Sequence, residues 1–287
     1  MPTKVEKDAV TGQETTGHEW DGIKELNTPL PKWWLYVLYA TIAWSVVWWL
    51  LFPSWPWGSG YFPGLLGANQ RLEHEARMAT ARERQAVYLD RIATADLHEI
   101  SQDPELLSFA LAGGQAAFAD NCSPCHGLGG AGQGGYPTLA DDVWIWGGTL
   151  DDIHTTILHG IRSDDQETRF NEMPPFGDIL SRDEIDAVAE QVLALSGRSG
   201  NSDLAAHGAA IFADQCAVCH GDAGEGLPEL GGPRLNDQIW LYGGDSADIV
   251  AQIARPKHGV MPAWSGRLDP ETMKILAVYV HSLGGGQ

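Results

Sequence analysis

The chain has 287 residues, enough for about two domains, with 38 acidic against 18 basic side chains and a formal net charge of −20. That balance excludes nucleic acid as a partner, because phosphate binding needs clustered Lys and Arg. It suits a basic protein partner, or serves only to keep the soluble part dispersed. The four cysteines, at 122, 125, 216 and 219, fall in two short motifs and leave none for a disulfide framework.

Residues 1–32 read as a polar segment ending at Pro29 and Pro31. Residues 33–52 (WWLYVLYATIAWSVVWWLLF) contain no charge. At ~1.5 Å per residue such a helix crosses about 30 Å, one bilayer core. Trp33, Trp34, Trp48 and Trp49 stand at its two ends, as an interfacial belt does. A cleaved signal peptide is shorter and starts closer to the N-terminus. Lys4, Lys7, Lys24 and Lys32 precede the run, and no base follows it until Arg71. The positive-inside rule then places the N-terminus in the cytoplasm and everything beyond Phe52 outside, in a bacterium the periplasm. Thr41 and Ser45, four apart, offer a small polar face for a neighbouring helix or bond to their own backbone.

Residues 53–102 open with a Pro- and Gly-rich break and continue as an Arg-, Glu- and Ala-rich stretch, read as an amphipathic helical arm. His74 and Met78 in it read as surface or packing residues. Asp103–Pro104 is an N-cap with proline at the first helical position. Further helices are expected near 151–159 and over 182–195, the latter opened by a Ser181/Glu184 capping box. Residues 196–202 (SGRSGNS) read as a flexible linker between domains. The plan then repeats, with helices over 203–216, 246–254 and from Asp269–Pro270 to about 282.

The repeat carries the chemistry. CSPCH at 122–126 returns as CAVCH at 216–220, inside AAFADNCSPCH and AIFADQCAVCH, which agree at seven of eleven positions. Cys-x-x-Cys-His is the requirement for covalent c-type haem: the thiols take the vinyl groups and the histidine the iron. A zinc site from the two cysteine pairs leaves both histidines and the wider repeat unexplained. Cys122, Cys125, Cys216 and Cys219 are thus expected to hold two covalent haem c groups, with His126 and His220 as proximal ligands.

For the distal position, Met173 and Met261 lie on proline-flanked loops after the second helix of each copy and before the last. His154, His159 and His258 are the rivals. Met273 falls inside the last helix and reads as core.

A second shared pattern, P-x-L-x-D-x-x-W-x-[W/Y]-G-G, spans 137–148 and 233–244. In it Pro137 and Pro233 are placed for their carbonyls to orient the proximal histidines. Trp144, Trp146, Trp240 and Tyr242 are placed to line a haem edge, to bond a propionate, or simply to fill the core. Arg234, where the first copy has Thr138, is a further propionate partner. The first copy also holds an insertion of about eleven residues, near 161–172, read as a docking loop or as a solvated loop without function. No catalytic triad, phosphate loop or paired catalytic carboxylates stand out.

With GHEWDGIKELNTPLPKWW (17–34), both haem motifs, WGGTLDDI, MPPFG and HGVMPAW in place, the chain resembles the CcoP/FixP subunit, subunit III, of the bacterial cbb3-type cytochrome c oxidase. The resemblance covers nearly the whole chain. It implies a mainly α chain: a transmembrane helix, a helical arm and two tandem cytochrome c-like haem domains, at 103–198 and 199–287. It also implies a single-pass inner-membrane protein with periplasmic haem domains. Such a subunit takes electrons from a soluble or anchored donor cytochrome c and passes them through the mono-haem subunit to the catalytic, dioxygen-reducing subunit. His/Met ligation maps in chain order onto His126/Met173 and His220/Met261, and with both positions filled this chain has no dioxygen site. The alternative is a free-standing anchored di-haem shuttle or a dehydrogenase-associated cytochrome c.

Overall fold

The computed structural model describes residues 4–286; residues 1–3 and 287, at the ends of the predicted cytoplasmic segment and second haem domain, lie outside them. The chain forms two units, one ending at Arg82 and one beginning at Glu83.

In the first unit the polar N-terminal segment is not featureless. Strands β1 (Thr15–Trp20) and β2 (Ile23–Leu26) pair antiparallel. Asp21 and Gly22, with φ of 50° and 88°, make the two-residue turn. An Asp-Gly pair between short strands is a hairpin signal. Thr15 is buried, its hydroxyl accepting from the Glu6 amide at 3.1 Å. Helix α1 (Lys32–Leu51) has no buried residue and is long and apolar enough to cross a membrane. Thr41 and Ser45 donate to Leu38 and Thr41 carbonyls of their own helix, both at 2.8 Å, which satisfies the hydroxyls without a neighbour. A small ribbon, β3 (Pro56–Trp57) and β4 (Gly60–Tyr61), follows. Leu65 and Leu66 amides beyond it bond back to Leu50 and Leu51.

The predicted arm is two helices, α2 (Gln70–Thr94) and α3 (Leu97–Gln102), separated by an Asp96/Glu99 capping box. Its amphipathic character is local to its end. Tyr88, Leu89, Ile92, Leu97 and Ile100 enter a core, while Leu72 and Val87 are exposed.

The remaining helices fall where caps and periodicity place them. They are α4 (Pro104–Asn121), α5 (Ser123–His126), α6 (Leu150–His159), α7 (Arg182–Leu195), α8 (Ser202–Gln215), α9 (Ala217–His220), α10 (Ser246–Ala254) and α11 (Pro270–His281). Asp103 caps α4, and the Ser181/Glu184 capping box opens α7.

Their packing does not follow chain order. Helix α4 crosses α11, and α8 crosses α7. Glycines stand at both crossings: a Cβ on Gly114 would strike Tyr279 Cβ and lie 3.0 Å from the Ile275 carbonyl, and one on Gly208 would strike the Ala187 carbonyl. One core joins the arm, α4, α6 and α11, with Phe118, Ile153 and Leu276 inside. The other joins α7, α8, α9 and α10, with Val188, Phe212 and Ile249 inside.

Helix packing therefore runs across the predicted division at 198/199. The last helix of the first copy packs on the first helix of the second, and α11 returns to α4. The cause is the segment predicted as a flexible linker. Glu190 of α7 accepts from the Ser199 hydroxyl at 2.7 Å and from the Gly200 and Asn201 amides at 2.7 and 2.8 Å. That ties 196–201 into a tight turn and makes α7–α8 an antiparallel helical hairpin.

Candidate haem sites

Each Cys-x-x-Cys-His motif begins at the C-cap of a long helix and ends in one short helical turn, α5 or α9. His126 Nδ1 lies 3.0 Å from the Pro137 carbonyl, and His220 Nδ1 lies 2.9 Å from that of Pro233. A carbonyl only accepts, so Nδ1 carries the proton and Nε2 keeps its lone pair. Burial holds both imidazoles below the ordinary histidine range, with the proline carbonyls opposing. Burial also pushes the Cys122 and Cys216 thiols up to about 11, with Cys125 and Cys219 adding to the effect. Each motif thus offers a neutral imidazole and an uncharged thiol, half of what a haem needs.

The methionines are exchanged. Met261 packs against the core of Cys122, with Leu139, Trp144 and Leu158. Met173 packs against the core of Cys216, with Leu235 and Trp240. The packing brings each methionine to the motif of the other copy and not, as the chain order predicts, Met173 to that of His126 and Met261 to that of His220, because each precedes a helix, α7 or α11, that packs on the other copy. Met273 is buried core in α11, as expected. Among the rival ligands, His159 is held by Asp165 at 3.0 Å and Glu167 at 3.4 Å. His258 is exposed.

The aromatic residues divide by role. Trp144 Nε1 donates to the Gly285 carbonyl. Its counterpart Trp240 Nε1 is buried with no acceptor, and the Arg198 guanidinium lies 5.0 Å from the centre of its ring with Nη2 likewise buried and unpaired. Two adjacent buried donors lacking an acceptor fit an anionic group such as a haem propionate. Trp146 lies under Arg169 at 5.7 Å and against Gly231, and Tyr242 under Lys257 at 5.9 Å and near Gly135. These two therefore join the loops of the two copies. Arg234 is exposed and spends its Nε on the Glu225 carbonyl at 3.4 Å, bracing its own loop. Arg198 carries no sequence signal for this role, because it stands inside a Ser/Gly-rich run that reads as a linker. Among the described residues no three His, Cys, Asp or Glu side chains converge, as a zinc centre requires.

Motif, oriented histidine, methionine and crossed terminal helices together define a c-type cytochrome, repeated within one chain. The chain's similarity to known proteins narrows this. Residues 111–196 match the cytochrome c model, residues 203–280 the model of cytochrome c oxidase, cbb3-type, subunit III, and residues 12–59 the N-terminal domain of the cbb3 oxidase FixP protein. A "Cbb3-type cytochrome c oxidase subunit CcoP" from Azospirillum brasilense is 52% identical, over 98% of this chain and 99% of its own. A FixP subunit from Azorhizobium caulinodans is 52% identical over 98% and 96%, and one from Bradyrhizobium diazoefficiens 49% identical over the full length of both. The chain belongs to the CcoP/FixP family, subunit III of the cbb3-type cytochrome c oxidase. It is a membrane-anchored, haem-binding electron-transfer subunit of an oxidoreductase complex, with the other oxidase subunits as partners.

Proposed function

We propose that this chain carries two covalent haem c groups and passes electrons from a donor cytochrome c, through the mono-haem subunit, to the catalytic subunit. The observation that carries this is the duplicated arrangement of an oriented imidazole after two cysteines, the first of them packed with a methionine on the same core. Cys122 and Cys125 would hold one group, with His126 and Met261 as the residues offered to its iron. Cys216 and Cys219 would hold the other, with His220 and Met173. When bound, such a group supplies reversible one-electron chemistry at iron.

The residues do the rest. Pro137 and Pro233 carbonyls fix the imidazole tautomer, and with a histidine and a methionine offered to each iron, dioxygen would be left to the catalytic subunit. The lysine asymmetry about α1 supports a cytoplasmic N-terminus and periplasmic haem domains.

The test is mass analysis of the denatured chain, which is expected to retain two haems with no free thiol. One haem, or a free thiol at either motif, refutes it. A reporter fused ahead of Trp33 is expected to read as cytoplasmic, and a periplasmic reading reverses the topology.

A further inference from the structure

The insertion at 161–172, without a counterpart in the second copy, lies where the two methionine segments cross. Ile161 and Met261 exchange both backbone hydrogen bonds, at 2.9 and 3.0 Å, and pair antiparallel. The next residue, Arg162, has φ 51°, left-handed backbone that a branched or long side chain rarely adopts. That conformation turns its guanidinium into the crossing. Nε donates to the Gly259 carbonyl at 2.7 Å and Nη1 to the Asn171 carbonyl at 2.9 Å. Gly259 is two residues before Met261, and Asn171 is two residues before Met173. One fork therefore grips the same position of both segments.

The insertion is built to hold that grip. Arg162 N–H donates to the Arg169 carbonyl at 2.9 Å, and Ser163 Oγ donates to the His159 carbonyl at 2.6 Å. Arg169 bonds the Trp146 carbonyl and Asp152. Asn171 Nδ2 reaches the Leu230 carbonyl in the second copy's motif loop, at 2.6 Å. Arginine is suited to the place, because its planar fork bonds two acceptors at once and keeps its charge when half-buried. Lysine presents a single point donor there.

We propose that Arg162 is a positioning residue for both distal ligands, clamping the two methionine segments to one cation so that the two sites are tuned together. This rests on the reading of Met173 and Met261 as those ligands. Two charge-assisted hydrogen bonds to carbonyls are lost without it, and each methionine is then released more often from its iron. Removing a positive charge beside both ligands also favours the oxidised state of both sites.

The test uses the full-length, haem-loaded chain in detergent, with carbon monoxide as the probe of methionine release. Arg162→Gly removes both bonds and relieves the left-handed backbone. It is expected to raise the carbon monoxide-reactive fraction of both haems by about tenfold and to move both midpoint potentials downward together. Were backbone strain all that mattered, the glycine variant would match the wild type, and that result overturns the proposal. A response confined to one haem also overturns it. Should Arg162→Gly not accumulate with haem, Arg162→Lys decides. It keeps the charge and one bond at a time, so a smaller rise at both haems supports the clamp, and no rise at either refutes it. Met173→Ala and Met261→Ala run in parallel. If the far-red absorption of Met-ligated ferric haem survives both, the ligand reading itself has failed and the clamp falls with it. If it is lost while the Arg162 variants stay silent, only the clamp is wrong.

Discussion

The exchange of methionines predicts which haem each one serves. The test needs a chain with one attachment site. Cys122→Ser with Cys125→Ser leaves only Cys216 and Cys219, whose core contains Met173 and not Met261. In that background Met173→Ala is expected to abolish the far-red band and admit carbon monoxide to the reduced haem, whereas Met261→Ala leaves both unchanged. The complementary background, keeping Cys122 and Cys125, is expected to show the reverse. Deleting a fully buried methionine to Ala costs about 2–5 kcal/mol, and each of these is largely but not fully buried, so about 1–4 kcal/mol is lost. In a unit of this size that lowers Tm by about 2–16 °C, and the spectra are read below that melting point. A band lost on Met261→Ala in the protein that keeps only Cys216 and Cys219 refutes the exchanged arrangement and restores ligation in chain order.

Two further outcomes follow from buried groups. Arg198→Gln is expected to lower the potential of the haem at Cys216 and Cys219 and spare the other, since it removes a cation beside the orphaned Trp240 donor; potentiometric titration reads this, and equal shifts at both haems would contradict it. Asp141 is held above the usual carboxylate range, first by burial and then by Asp142 and Asp237. Its folded pKa is raised, so the stability it contributes is complete below the unfolded value of 3.8 and is lost as pH rises through the folded value. Asp141→Asn is therefore expected to melt higher than the wild type at neutral pH and to lose that advantage at the acid end. Melting curves across this range check it, and an advantage that grows on acidification refutes it.

Much of this protein is local, and so was legible in the chain. The cysteine–histidine motifs need only one helical turn to form, and helix starts at Asp103 and Ser181 are set by side chains within three residues of the amides they cap. The apolar run of α1 is defined by composition alone. The β1–β2 hairpin was equally local, and its Asp21-Gly22 turn was there to be read. Pairing of the copies is a different matter. Two repeats with the same motifs and the same terminal helices are each compatible with either partner, so no residue taken singly says whether α11 belongs with α8 or α4. That was decided by a turn of six residues, 196–201, wound onto Glu190, which leaves α8 no nearer helix than α7. Once Gly208 has closed on Ala187, α4 is left with α11, and each methionine goes with the helix that follows it. Arg162 and Arg198 take their roles from that exchange, because their acceptors and neighbours lie up to about a hundred residues away in the chain, brought close only by the fold.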